Sequence, residues 1–154
     1  PRALAEALAA TLDARAQAKG LTAETSIADD LPELVKGDLV RLRAALENLI
    51  DNAVKFTERG RVALAIGMAR RSRGSYRLTV TVTDSGIGLS RAEIARLFRP
   101  FGQGNADVAR RFGGSGLGLA FVRRVARAMG GNLTVESRVG GGSTFRFSEA
   151  RTQA

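Results

Sequence analysis

The stretch LRAALENLIDNAVKFTERGRV, residues 42–62, combines an apolar helical repeat with polar side chains on a neighbouring face. Its apolar positions recur every three or four residues and form one stripe: Leu42, Leu46, Leu49 and Ala53. The pattern predicts a helix over about residues 38–56 that buries this stripe. A strand that includes Val62 is expected to follow the helix.

Three polar side chains of this helix lie on one face beside the apolar stripe. Asn48, Asn52 and Lys55 stand at positions i, i+4 and i+7, which a helix brings into line. Amide oxygens are hard ligands for Mg²⁺, and a lysine offers a point charge to phosphate. The face would suit a magnesium–phosphate group. An ordinary solvated polar stripe is the alternative interpretation.

Further elements are predicted on both sides of this helix. Alternating apolar residues predict strands over 21–27, around 62–68, around 76–82, and in a hairpin of residues 132–138 and 143–148. Helices are predicted over 2–19, after the capping box of Ser90 and Glu93, and over 117–129, while residues 29–38 are typical of a loop. Because each strand alternates, we expect an α/β chain of the α+β type: a two-layer sandwich with a mixed, mostly antiparallel sheet and helices on one face.

The composition limits the possible functions. The chain has 154 residues, 44% of them apolar, which suits one domain with a buried core. The net charge is +9, but one tyrosine and no tryptophan supply little base stacking, so no nucleic-acid partner is expected. No apolar run could span a membrane, and no direct membrane contact is expected. Cysteine and histidine are absent, which excludes disulfides and any histidine base, nucleophile or metal ligand within these residues.

Two glycine-rich stretches could contact a ligand. In TVTDSGIGLS, residues 81–90, a strand ends at Asp84, whose carboxylate could receive a ligand's N–H groups; a strand-ending turn is the alternative. In RFGGSGLGLAFV, residues 111–122, the glycines precede a helix whose first N–H groups could bind an anion. The second stretch lacks the Gly-Lys-Ser/Thr of a Walker loop, and a flexible hinge is its alternative interpretation.

Taken in order, these motifs resemble the ATP-binding catalytic domain of sensor histidine kinases, part of the family shared with DNA gyrase, Hsp90 chaperones and MutL repair proteins. The resemblance covers about residues 21–148. The motifs similar to the family's N, G1, F, G2 and G3 boxes are LRAALENLIDNAVKFTERGRV, DSGIGL, LFRPFGQ, RRFGGSGLGLAFV and GGGSTFRF.

The resemblance implies an ATP and Mg²⁺ site. Asn52 would coordinate Mg²⁺ with Asn48 assisting, Lys55 would contact phosphate, and Asn48 and Lys55 would serve the transfer. Asp84 would accept the adenine amino group. The remaining implied ATP contacts are Phe56 (or core packing), Gly86 and Gly88 beside the ring and sugar, Phe101, Gln103, Arg110 and Arg111 in a lid over 99–116, Gly114, Ser115, Gly116, Leu117, Gly118 and Leu119 around the phosphates, and Thr144 as support. Core packing for Phe101 and solvation for the two arginines are the alternatives.

The resemblance also implies a phosphate donor rather than a hydrolase. Hydrolytic relatives carry a glutamate base four residues before the magnesium asparagine, where this chain has Asn48, and Glu47 is about 100° out of phase. Since the chain has no histidine, we expect the acceptor in a separate dimerisation domain, with a response regulator receiver domain downstream. A protein-serine kinase of the same fold and a non-catalytic nucleotide sensor are the alternatives.

The expected organisation follows from the same resemblance. Residues 1–20 are interpreted as a helical lead-in from a dimerisation domain, 21–150 as the ATP-binding domain, and 151–154 as a tail. The chain, which begins without methionine or a signal-peptide pattern, is interpreted as a monomeric piece of a longer, homodimeric, cytoplasmic or membrane-anchored kinase.

Overall fold

Helices are interspersed with pairs of strands along the chain. The computed structural model describes residues 2–29, 31, 35–36, 39–72, 75–98 and 118–153. The elements within these ranges are α1 (Arg2–Lys19), β1 (Thr22–Ile27), β2 (Val35–Lys36), α2 (Leu39–Phe56), β3 (Arg61–Ser72), β4 (Ser75–Asp84), α3 (Arg91–Leu97), α4 (Gly118–Ala128), β5 (Asn132–Ser137) and β6 (Ser143–Gln153).

The strands form one mixed sheet in the order β1-β3-β4-β6-β2, with β5 also paired to β6. β1 runs parallel to β3, and the other pairs are antiparallel. Two boundaries differ from the predictions. The expected loop at residues 29–38 contains β2, and β6 continues through Gln153, past residue 148 and into the expected tail, because its last residues pair with β2.

One face of the sheet forms the core. Alternate residues of the central strands are buried there: Val62, Leu64 and Ile66 of β3, Leu78, Val80 and Val82 of β4, and Phe145 and Phe147 of β6. The whole predicted stripe of α2 is buried against the same core. The residues between them, such as Thr81 and Thr83, stay at least partly exposed. The predicted two-layer α+β architecture is therefore confirmed.

Helix α1 packs into this core, and its interpretation as a lead-in from a dimerisation domain stays a prediction. Its inner face is buried: Ala5, Leu8, Leu12 and Ala16. Arg15 lies 2.6 Å from the Asp51 carboxylate of α2. The Lys19 ammonium donates to the Val54 carbonyl oxygen at 2.8 Å and to that of Lys55 at 3.2 Å. Two of the four buried residues are alanines, so large apolar residues alone underestimate the buried face of this helix.

Candidate functional site

Asp84 ends β4 as a buried carboxylate that is only 3% exposed. Its Oδ1 accepts the Gly86 N–H at 2.9 Å, and the Ser143 backbone N–H also bonds to the carboxylate. Oδ2 is buried and has no hydrogen-bond donor in the described part of the chain. Burial raises the pKa of Asp84 from 3.8 to about 6, although the two backbone N–H groups act in the opposite direction. The site therefore holds a buried carboxylate with one oxygen that can still accept a hydrogen bond from a ligand.

The glycines after Asp84 permit close backbone contacts. A Cβ on Gly86 would overlap the Phe56 carbonyl oxygen, and one on Gly88, whose φ is +72°, would overlap the Arg138 carbonyl oxygen. These contacts give both glycines a structural reason that differs from the predicted one, room for a base and sugar. The loop is held between the end of α2 and the turn before β6.

Thr144 follows Ser143 on β6 and lines the cavity beside Asp84, and its predicted supporting role stays a prediction. The β4–β6 register pairs Asp84 with Ser143 and Thr83 with Thr144. Neighbouring residues of a strand face opposite sides, but the cavity of about 280 Å³ that Thr144 lines is also lined by Asp84 and Ser143. Buried Ser143, and not Thr144, lies beside Asp84. Counting back by twos from the inward-facing Phe145 would have identified it.

The two asparagines of α2 face the start of α4. A Cβ on Gly118 would lie 3.3 Å from both Asn48 Oδ1 and Asn52 Nδ2. The Asn48 Nδ2 group donates to the Ala44 carbonyl oxygen at 3.1 Å, which turns Oδ1 outward from its own helix. The first N–H groups of a helix lack partners within it, so this corner gathers two amides and helix N–H donors.

Three further predicted contacts differ in exposure. Lys55 is exposed one turn beyond Asn52. Phe56 is buried, and its ring centroid lies 6.4 Å from that of Phe145, so core packing accounts for it. Leu119 is 1% exposed, so its side chain belongs to the core as well, and its contact with the nucleotide stays a prediction. Contact of Phe56 with a base stays a prediction.

The predicted lid falls outside the described residues. The residues left undescribed there are 99–117, and they include the predicted contacts Phe101, Gln103, Arg110, Arg111, Gly114, Ser115, Gly116 and Leu117. The elements on either side of it touch: the Arg123 guanidinium of α4 lies 4.4 Å from the ring centroid of Phe98, which caps α3. The predicted capping box of Ser90 and Glu93 is confirmed at the start of α3.

Glu47, the carboxylate next to the position where hydrolytic relatives carry their base, is directed away from this corner. Glu47 accepts a hydrogen bond from Arg43 at 2.7 Å along the surface of α2, while Asn48 faces Gly118. In the described part of the chain, no three His, Cys, Asp or Glu residues cluster as metal ligands. Any metal at this corner would therefore rely on amide oxygens and on its ligand's phosphates.

These features are typical of two-layer α+β nucleotide-binding domains: a buried carboxylate at a strand end, and amides opposite a helix start. The chain belongs to the histidine kinase-, DNA gyrase B- and HSP90-like ATPase family, whose profile matches residues 37–153. The family expected from the motifs is confirmed.

The curated relatives are sensor kinases much longer than this chain. The sensor histidine kinase AruS of Pseudomonas aeruginosa is 42% identical over 146 residues, which are 95% of this chain and 15% of AruS. The signal transduction histidine-protein kinase BarA of Escherichia coli is 35% identical over 129 residues, 84% of this chain and 14% of BarA. The chain thus spans about a seventh of these relatives.

Solved histidine kinases share the fold. Full-length ShkA in complex with AMPPNP has a TM-score of 0.75 and 35% identity, covering 99% of this chain and 30% of ShkA. The solved chain of the mycobacterial sensor histidine kinase MprB has a TM-score of 0.69 and 26% identity, covering 97% of this chain and 95% of that solved chain. Among the residues that the structure describes, no helix is long and apolar enough to cross a membrane.

Proposed function

We propose that this chain is the ATP–Mg²⁺-binding catalytic domain of a sensor histidine kinase. It donates the γ-phosphoryl group of ATP to a histidine on a separate dimerisation domain. The observation that carries the proposal is the buried Asp84 carboxylate, whose Oδ2 has no donor among the described residues. An adenine amino group supplies the missing donor.

Base selection follows from the chemistry of Asp84. The adenine 6-amino group donates to Oδ2, whereas guanine presents a carbonyl oxygen at the same place. Two facing acceptors leave the carboxylate unpaired, which costs about 1–3 kcal/mol and favours ATP. The N–H groups of Gly86 and Ser143 already occupy the carboxylate from the protein side.

Phosphate binding falls to the corner where α2 meets α4. Asn48 and Asn52 present amides to Gly118, and Lys55 adds a positive charge one turn further on. These residues fit a hard cation, and Mg²⁺ held by Asn52 with Asn48 assisting neutralises phosphate charge when it is bound. The N–H groups at the start of α4 stabilise the same charge.

The transfer breaks the bond between the γ-phosphorus and the β–γ bridging oxygen. A nitrogen of the acceptor imidazole forms the new phosphorus–nitrogen bond, ADP leaves, and the ring loses a proton. Positioning and charge neutralisation supply most of the catalysis. Asn48 cannot take a proton from water at neutral pH, and Glu47 is held by Arg43, so neither of these two described residues supplies a base for hydrolysis.

The partners follow from this reaction. The acceptor histidine lies outside these 154 residues, because they contain none. We place it in the parent protein's own dimerisation domain, with a response regulator receiver domain as the next phosphoryl acceptor. The parent kinase is a homodimer, and this domain works on the cytoplasmic side.

A phosphotransfer assay in the full-length parent tests the proposal. Incubation with γ-labelled radioactive ATP and Mg²⁺ should give an acid-labile, alkali-stable phosphate on the parent, as expected for phosphohistidine. An acid-stable phosphate on serine would support the serine-kinase alternative. ATP binding without label on the parent or a partner would support a sensing module. Either result would contradict histidine transfer.

A further inference from the structure

The Ser137 side chain joins two turns that meet beside Asp84. We call residues 84–90 the base loop and residues 138–142 the hairpin turn. Ser137 Oγ accepts the Leu89 N–H of the base loop at 2.7 Å. It donates to the Gly142 carbonyl oxygen of the hairpin turn at 3.0 Å, and lies 2.6 Å from Ser143 Oγ. One hydroxyl thus contacts both turns and the neighbour of Asp84.

The three contacts are compatible with a single arrangement of protons. A serine hydroxyl has one proton and two acceptor lone pairs. If the Ser137 proton goes to Gly142, its lone pairs receive the Leu89 N–H and the Ser143 O–H. Ser143, the cross-strand partner of Asp84, then has its own lone pairs free as acceptors. An alanine at position 137 would leave the Leu89 N–H without this acceptor.

The other contacts between the two turns are made by backbone. The Gly140 N–H donates to the Ile87 carbonyl oxygen at 2.6 Å. A Cβ on Gly88 would overlap Arg138, and one on Gly142 would overlap the Asp84 carbonyl oxygen. The base loop also carries the Gly86 N–H that occupies Asp84 Oδ1. The placement of the loop therefore decides which carboxylate oxygen is left for a ligand.

We infer that Ser137 is a positioning residue that holds the base loop in its binding geometry and so sets the preference for adenine over guanine nucleotides. It acts through its hydrogen bonds to Leu89 and Ser143. The inference rests on the proposed function, because it concerns the base end of the same site.

Matched serine variants of the same hairpin test this inference. Ser148 also bonds across the β5–β6 pair, to the Asn132 N–H at 3.3 Å and the Asn132 carbonyl oxygen at 3.4 Å, away from both turns. Ser137→Ala, Ser137→Thr and Ser148→Ala are compared with the wild-type chain. The measurements are ATP–Mg²⁺ and GTP–Mg²⁺ dissociation constants, melting temperature, and hydrogen exchange of the Leu89 amide.

Loss of the hydroxyl should act on ATP more than on GTP. We expect Ser137→Ala to weaken ATP binding by about tenfold and to lower the ATP/GTP preference, because the loop no longer aligns Asp84. Leu89 should exchange faster in this variant. Ser148→Ala should bind ATP within about twofold of wild type, and Ser137→Thr should restore binding to within about threefold.

Three results would count against the inference. ATP binding by Ser137→Ala within twofold of wild type overturns it, and so does an equal loss of ATP and GTP affinity. If Ser137→Ala does not fold, Ser137→Cys, which keeps the volume and weakens the hydrogen bonds, carries the same expectations. The third result is an unchanged exchange rate of the Leu89 amide in Ser137→Ala, which overturns the loop-holding role whether or not a nucleotide binds. Wild-type protein that binds neither nucleotide overturns the proposed function instead.

Discussion

The two ends of the candidate site are built differently. The base end is buried and internally bonded: Asp84, the base loop and the hairpin turn share hydrogen bonds and glycine contacts. The phosphate end consists of the half-buried amides of Asn48 and Asn52, presented on a helix surface toward Gly118. Changes at the base end should therefore alter both stability and binding, whereas changes at the phosphate end should alter phosphate binding and transfer without altering stability.

The phosphate end should lose activity without losing the fold. Asn52→Ala removes the proposed Mg²⁺ ligand from a half-buried position on α2, and alanine favours the helix. We expect phosphotransfer in the parent kinase to fall by about 100-fold or more, with an unchanged melting temperature. A variant that transfers phosphate at the wild-type rate would contradict the metal assignment.

The base end should lose stability when its backbone contacts are broken. Gly140 and Gly142 both have positive φ, +82° and +79°, but only Gly142 presses on the Asp84 carbonyl oxygen, and Gly140 has nothing within 4 Å. Gly140→Ala should cost about 1–2 kcal/mol of unfolding free energy for its backbone conformation. Gly142→Ala should cost about 1–3 kcal/mol more, measured by denaturant unfolding. Equal losses would show that this contact does not stabilise the base end.

The pH dependence of ATP binding should separate the two ends. The raised pKa of Asp84, about 6, means that the acceptor is protonated below pH 6. ATP affinity should therefore fall as pH decreases through 6, by up to about tenfold per pH unit. A flat affinity profile from pH 8 to pH 5 in the wild type would count against adenine binding to the carboxylate.

The stability of the ligand-free protein should respond in the opposite direction. Between pH 3.8 and about 6, the folded protein holds a proton on Asp84 that the unfolded chain releases. The contribution of this group to stability therefore increases as pH falls through 6. Burial of the charge at neutral pH is a cost of the binding site.

The smallest effect is expected outside both ends, at α1. Lys19→Ala removes the ammonium that bonds the last carbonyl groups of α2, at Val54 and Lys55. The loss should be about 0.3–1 kcal/mol of unfolding free energy, because the contact is exposed. Lys19→Arg serves as the control. A loss above that of Gly142→Ala would show that α1 stabilises the site more than the base end does.

Sequence periodicity predicted the elements well and the close contacts poorly. The stripe from Leu42 to Ala53 predicted α2 because burial follows helical spacing, and the order of motifs predicted the family. The two residues of β2 were missed, because a strand this short carries no periodic signal. Ser143, the buried partner of Asp84, was missed, because a shift of one residue along a strand is a change of face.

The contacts between the base loop and the hairpin turn could not be predicted from the sequence either. Gly88 and Gly142 looked like ligand-binding or turn glycines, but their neighbours are carbonyl oxygens far along the chain, at Arg138 and Asp84. Ser137 gave no signal of its own, since its partners become neighbours only through the β5–β6 pairing. Contacts between distant segments depend on register, which single-sequence patterns do not contain.

The most direct measurement is a calorimetric titration of ATP–Mg²⁺ into the wild-type chain and into Asp84→Asn at pH 7.5, with melting temperatures recorded for both. A buried amide keeps the volume and removes a buried charge, but it has one acceptor oxygen where the carboxylate has two, so it cannot accept both the Gly86 N–H and the adenine amino group. We predict that the wild type binds ATP, whereas Asp84→Asn shows no measurable binding and melts at an equal or higher temperature. Wild-type affinity in Asp84→Asn, or no binding by the wild type, would contradict the proposed site.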